Sequence, residues 1–312
     1  MGDDLAATRV LAATVMVNVG LAGIVGAWAS MVWLLRAASP WGATARRRSL
    51  AALKWALSFT AIADGLLLWV QAAYMGQVPL LDAMAMLPSM VQQTYAGRAW
   101  AVGVLSLLLV FVAASGSAAR LISLRLAGAA IGISLFVFAR AAVSHAGDSG
   151  LASLQLLVEG VHLWAISLWV GVVAIAAFAV LGHEGSASAV ERADMASWVK
   201  TLSAVATWAL AIVVGSGLFN AWRGVGSMAN LVGSAYGNTL LVKVAFVAIA
   251  VALGGFNRFR GMPRLLAALK APVAVSSLRQ RFVQVLRIEA VVLVAALIAA
   301  AILSSSPLPT AT

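Results

Sequence analysis

SLQLLVEGVHLWAISLWVGV, residues 153–172, is an apolar run carrying two ionisable side chains, Glu159 and His162. It reaches the ~20 residues that a helix needs to cross a bilayer. An ionisable side chain inside hydrocarbon is costly, so it normally faces a bundle interior or a cavity and marks a working site. Glu159 and His162 stand three apart and share one helix face, and Trp169, seven residues on, returns to it. Two readings are open: a working histidine, or a structural one hydrogen-bonded to a neighbouring helix.

The surrounding chain has 312 residues, 63% hydrophobic and only 10% charged. Soluble domains carry about 25% charged residues, so this composition implies an integral membrane protein. Repeated apolar runs of spanning length imply helices, because a barrel would show ~10-residue alternating segments. There is no cysteine, which excludes disulfides, thiolate metal sites and the cysteine-based transmembrane motif of a copper P-type ATPase. No GxxxxGK[ST] loop is present, so an intrinsic nucleotide motor is not expected. The opening MGDDLAATR lacks a basic segment and the first apolar run is long enough to span, so no cleavable signal peptide is expected.

Eight spans are read, at residues 12–35, 55–75, 99–117, 126–144, 153–181, 201–222, 236–256 and 282–305. The expected fold is an all-α integral membrane protein: one polytopic domain over 1–312, built as an eight-transmembrane-helix bundle. Arg36, Arg46, Arg47, Arg48 and Lys54 follow the first span. Arg120 and Arg125 follow the third, Arg192 and Lys200 the fifth, and Arg258, Arg260, Arg264, Lys270, Arg279 and Arg281 the seventh. The alternate loops hold only Arg98 and Arg223, with Arg9 near the N-terminus, and Asp3, Asp4, Asp82 and Asp148 lie on that side. The positive-inside rule then puts both termini outside, in the periplasm if the membrane is a bacterial inner membrane. The net charge of +11 therefore reports topology and anionic lipid rather than nucleic acid.

The first outer loop, GQVPLLDAMAMLPSMVQQTYAGR (76–98), holds Met84, Met86 and Met90 near Asp82. Thioethers are soft ligands that select Cu(I). The competing reading is an interfacial hairpin with methionine as apolar filler. If the loop is partly helical, Asp82, Met86 and Met90 fall at i, i+4, i+8, although Pro88 argues for a break. His145 ends the fourth span, a turn beyond Arg140, and the short loop that follows keeps it near the outer half of span five. His183, on an inner loop, is read as solvated. Asp64 in span two is placed nearer the inner half, Lys243 about two turns into span seven on the face of Tyr236, and Glu289 toward the inner side of span eight, where Arg287 can snorkel to headgroups. Each of these polar residues is either part of a path or one half of a helix-holding pair.

In order and spacing, five segments resemble the CopD/PcoD family of bacterial inner-membrane copper-resistance proteins: SHAG (144–147), EGVHLWAISLWVG (159–171), YGNTLLVK (236–243), GGFNRFR (254–260) and LRIEAVVL (286–293), the last followed by Pro307. The resemblance is strongest over 144–309; the first three spans match mainly as hydropathy. It implies a copper transporter, not an enzyme, moving copper from periplasm to cytoplasm with a separate periplasmic CopC-like carrier as partner. His145 and His162 are then candidate copper ligands and Trp169 packing support, while Tyr236, Lys243 and Glu289 are family-pattern polar positions. The "LH…WVG" helix also resembles HemJ-type protoporphyrinogen oxidases, so a haem-binding membrane oxidoreductase is the alternative, with a structural or docking role as a third.

On the copper reading, Met84, Met86 and Met90 offer an exchange surface, and His145 and His162 hold Cu(I) or Cu(II) below the outer surface. Glu159 orients His162 or binds a proton. Asp64, Lys243 and Glu289 offer polar footing deeper in, in no assigned order. A protonated imidazole must lose its extra proton before it binds metal, so binding weakens at low pH.

Overall fold

Serine and threonine side chains open most of the helices. In the computed structural model, which describes residues 2–116, 121–182, 188–270, 275–306 and 309, Ser39 caps the second long helix, Thr94 the third, Ser153 the fifth and Ser188 the sixth. Each accepts from a backbone N–H of the first turn and so satisfies a donor left free at a helix start. Ser188 and Glu191 complete a reciprocal capping box.

Among the described residues, eight helices are long and apolar enough to cross a membrane. They are α1 (Gly2–Trp33), α2 (Pro40–Gly76), α3 (Tyr95–Ser115), α4 (Ile122–Ala142), α5 (Leu154–Ile175), α6 (Ala189–Val225), α7 (Ala235–Phe256) and α8 (Ser276–Ser305). One end of the bundle carries the methionine loop and the opposite end carries most of the arginines; they are called here the methionine end and the basic end.

Several helices outrun their apolar spans. α2 starts at Pro40 and α6 at Ala189, so Arg46, Arg47, Arg48, Lys54, Arg192 and Lys200 are helical rather than loop residues. α7 continues through a π-helical segment, Asn257–Gly261, into the helix Met262–Lys270, and α5 ends in the π-helical segment Ala176–Val180. Hydropathy locates the hydrocarbon layer, whereas backbone hydrogen bonding carries a helix on into the headgroups and beyond. His183, Arg120 and Pro307 lie outside the described residues.

α1 and α5 pack together at the centre, with α2, α4 and α8 against α1 and α4, α6 and α8 against α5. Their buried faces supply much of the main core, including Val17, Leu21, Ile24, Val25, Val170, Val172 and Val173. The helices cross where Gly26 meets Gly171. A Cβ on either glycine would fall onto the other helix's backbone, so only glycine permits this approach, as at small-residue crossings in membranes generally. This gives the Gly171 of the WVG segment a structural reason.

At the basic end, arginines also act as caps. Arg46 donates to the carbonyls of Leu34 and Ala37 at 3.1 and 3.0 Å, and Arg125 to those of Ala113 and Ala114 at 2.8 and 3.1 Å. Both close carbonyls left open at a helix C-terminus. Arg258, in the π-helical segment after α7, donates to the Ser203 carbonyl and to the Ser203 and Thr207 hydroxyls of α6 at 3.0, 2.8 and 2.8 Å. Arg287 lies over the Phe178 ring at 5.8 Å, a cation–π contact.

Candidate metal centre

α5 and α6 run antiparallel, and their polar residues pair rung by rung. His162 Nδ1 lies 2.9 Å from Ser216 Oγ, and Glu159 Oε2 accepts from Asn220 Nδ2 at 2.7 Å. A turn nearer the methionine end, with its amide turned to satisfy both groups, the Gln155 oxygen accepts from Arg223 at 2.7 and 3.2 Å. Gly217 keeps the wall open beside the imidazole, since a Cβ there would sit 3.3 Å from His162 Cε1. His162 is eight residues into α5, about 12 Å along its axis from Leu154, and only 8% exposed.

The hydrogen bonds favour one tautomer. The Ser216 hydroxyl donates to the Ile212 carbonyl at 2.5 Å. With that proton committed, Ser216 Oγ acts as acceptor, and His162 Nδ1 must be the N–H that donates to it. In that arrangement the neutral ring keeps its lone pair on Nε2, and the Val213 carbonyl of α6 also lies within hydrogen-bonding reach of the ring. An imidazole held by one N–H and free at the other nitrogen is the arrangement used by metal-binding histidines.

α7 supplies charge to the same cluster. Lys243 interacts electrostatically with both Glu159 and His162, and Tyr236 with Glu159. The Tyr236 ring lies over Gly224 of α6, where a Cβ would collide with its hydroxyl. Glu159 is thus occupied by Asn220 and Lys243 and makes no hydrogen bond to His162. The cluster spans three helices, with a carboxylate and an ammonium offsetting each other next to a neutral ring.

The comparisons with known proteins single out the second half of this arrangement. Residues 196–303 match the family model described as copper resistance protein D. This region is similar to a CopD domain. No curated protein and no solved structure matches the chain. The CopD region contributes Ser216, Asn220, Tyr236, Lys243 and Glu289, so it supplies the partners that hold Glu159 and His162, while those two residues come from α5, ahead of it.

The remaining sequence-derived positions are dispersed. His145 sits in the turn after α4, half exposed, with Nδ1 3.9 Å from Asp148 Oδ2; its neighbour is that carboxylate, whereas His162 faces α6. Trp169 is buried and donates from Nε1 to Glu289 Oε1 at 3.3 Å, joining α5 to α8 with the acid packed beside Gly254 of α7. Met84 and Met86 lie exposed on a short 3₁₀ turn, Met84–Met86, between the helices Leu80–Ala83 and Leu87–Gln93. Met90 is buried against Leu68, Ala72 and Ala73, so the three methionines do not form one surface. Asp64, expected nearer the basic side, instead lies in the methionine half: it lines a cavity with Trp100 and Gly103, near the start of α3. The correction follows from its neighbours, Trp100 and Gly103 in the first turns of α3 and Arg140 in the last turn of α4, both helix ends lying at the methionine end. Among the described residues no three His, Cys, Asp or Glu side chains gather as a metal site.

Ser216 and Asn220 went unread in the sequence. Their signal is present in GSGLFN (215–220), two polar residues at i, i+4 in an apolar span, but each could equally have bonded its own backbone.

Proposed function

We propose that this protein passes copper through a bacterial inner membrane, from periplasm to cytoplasm, and that His162 Nε2 is the ligand that takes the ion inside the bundle. The observation that supports this reading is the His162–Ser216–Ile212 hydrogen-bond chain, which favours the proton on Nδ1 and the lone pair on Nε2, in a bundle whose residues 196–303 match the copper resistance protein D model. Neutral imidazole suits either Cu(I) or Cu(II).

In this reading the methionine end faces the periplasm, in agreement with the arginine distribution. The exposed Met84 and Met86 and the half-exposed His145 receive copper from a separate CopC-like carrier. Met90 supports their loop from beneath. Glu159, paired electrostatically with Lys243 and hydrogen-bonded to Asn220, offsets the ammonium that would otherwise repel an arriving cation. Trp169 and Glu289 tie α5 to α8 further along. The protein is a transporter rather than an enzyme, and copper is its cargo.

The test is copper accumulation in cells making equal amounts of wild-type protein, His162→Asn and His162→Gln. The Asn amide nitrogen overlays Nδ1 and keeps the bond to Ser216, but offers nothing at Nε2. Copper uptake falling to the vector level in His162→Asn, with the protein still folded, is the expected result. Uptake equal to wild type in that variant removes His162 from the path.

A further inference from the structure

Away from the His162 cluster, α2, α3 and α4 enclose a second set of polar side chains. Asp64 is 3% exposed, and its carboxylate accepts no hydrogen bond among the described residues. Asp64 Oδ2 and Arg140 Nε are both buried without a hydrogen-bond partner among the described residues; the two groups interact electrostatically across the gap but form no ion pair within 4.0 Å. Trp100 Nε1 donates to the Asp64 backbone carbonyl at 3.1 Å, which braces the helix and leaves the carboxylate free. A cavity of about 20 Å³, lined by Asp64, Gln71, Trp100, Gly103, Phe136 and Arg140, joins the unpartnered groups.

We propose that this cavity holds one water and that Asp64 binds and releases a proton through it, making a proton site separate from the His162 cluster. The volume decides the ligand class. A water requires roughly 10–15 Å³ of such space and polar partners, so the site takes a single water but no hydrated metal ion or organic solute. The chemistry decides its role. Arg140 Nε–H is only a donor, while a carboxyl oxygen accepts when ionised and donates when protonated.

One water serves both states without any movement of the chain. With Asp64 ionised, the water accepts from Arg140 Nε–H and donates to Oδ2. When a proton adds to Oδ2, the new O–H donates to the same water, which now accepts from both sides through its two lone pairs. The Asp64–Arg140 pair passes from neutral to a net charge of +1, and no electron moves. Among the cavity-lining residues of α2, α3 and α4, Arg140 is the other ionisable group; Gln71 and Trp100 are neutral. The lining continues to Ala96 and Val143, at the ends of α3 and α4, so the proton enters from the methionine end. A directly formed Asp–Arg pair would satisfy both groups and leave no space; the open geometry is what a site for exchange needs.

The experiment is infrared difference spectroscopy of the full-length protein in lipid, stepped in pH and repeated in D2O, without copper. A protonated-carboxyl band that shifts in D2O is expected in wild type, in Glu159→Gln and in Glu289→Gln, and is expected to be lost in Asp64→Asn. An Asp64→Asn spectrum equal to wild type overturns the proposal. Gly103→Ala keeps the test decisive if Asp64→Asn does not fold. Its methyl would stand 3.6 Å from Asp64 Oδ2 and 3.4 Å from Phe136 Cε2, ordinary contacts that leave the helices in place yet intrude on the water. A shifted band and midpoint are expected there; an unmoved band overturns the bridging water. Since no copper is present, the outcome does not depend on His162.

Discussion

Ser216 bridges His162 to its own helix: its hydroxyl lies 2.5 Å from the Ile212 carbonyl and 2.9 Å from the imidazole Nδ1, an arrangement that favours the N–H on Nδ1. A serine on one helix thus biases the tautomer of a histidine on another. Losing such a partner normally weakens metal binding by about 10–100-fold. Ser216→Ala is expected to lower copper affinity by that order, measured by competition with a chromophoric chelator, with protein yield unchanged. Wild-type affinity in Ser216→Ala would separate the hydroxyl from metal binding.

The Gly26–Gly171 crossing holds α1 against α5 and so sets the depth of His162. A side chain at either glycine meets backbone that cannot turn aside. Gly171→Leu is expected to destabilise the bundle by at least the ~1–3 kcal/mol typical of overpacking, read as a lower unfolding temperature in detergent. Gly65→Ala, where a Cβ meets nothing within 4 Å, is the control that should leave the temperature in place.

Exposure divides the methionines. Met90 is buried, and Met90→Ala is expected to cost about 2–5 kcal/mol as a cavity-forming change, again read from thermal unfolding. Met84 and Met86 are 50% and 37% exposed. Replacing both with leucine preserves apolarity, so stability should hold while copper transfer from a periplasmic carrier slows. Transfer at the wild-type rate would return both residues to the role of apolar filler.

Trp169 and Glu289 link α5 to α8 through one buried hydrogen bond. Interhelical hydrogen bonds in membranes average about 0.6 kcal/mol. Trp169→Phe should therefore lower stability only by that order. A loss of several kcal/mol would show that the ring's packing, rather than its N–H, holds the two helices.

Haem and copper readings differ in an absorption spectrum. Purified protein is expected to show no Soret band and to bind copper. A strong stoichiometric Soret band that is lost in His162→Ala would instead make His162 an axial ligand.

Much of this architecture is legible in the residues themselves. Eight apolar runs, serine and threonine caps and the arginine distribution specify eight long helices and suggest their orientation, because length, hydropathy and capping are local properties. The buried histidine was visible too, since an ionisable group within an apolar run stands out against its neighbours. Glu159 and His162 share a face by spacing alone, but spacing left open whether Glu159 orients His162, and its hydrogen bond goes to Asn220 instead. Asp64 was placed by its position in an apolar run, and the run did not reveal which residues of α3 and α4 lie beside it.

The partners were decided by the tertiary structure. Ser216 for His162, Asn220 for Glu159, Glu289 for Trp169 and Arg140 for the space beside Asp64 are each brought in from a different helix. Which polar groups meet depends on how helices cross and at what height, and those are set by close approaches such as Gly26 on Gly171. By itself the sequence placed a histidine within an apolar run of spanning length; the packing of α6 against α5 decided that Ser216 is the side chain it meets there.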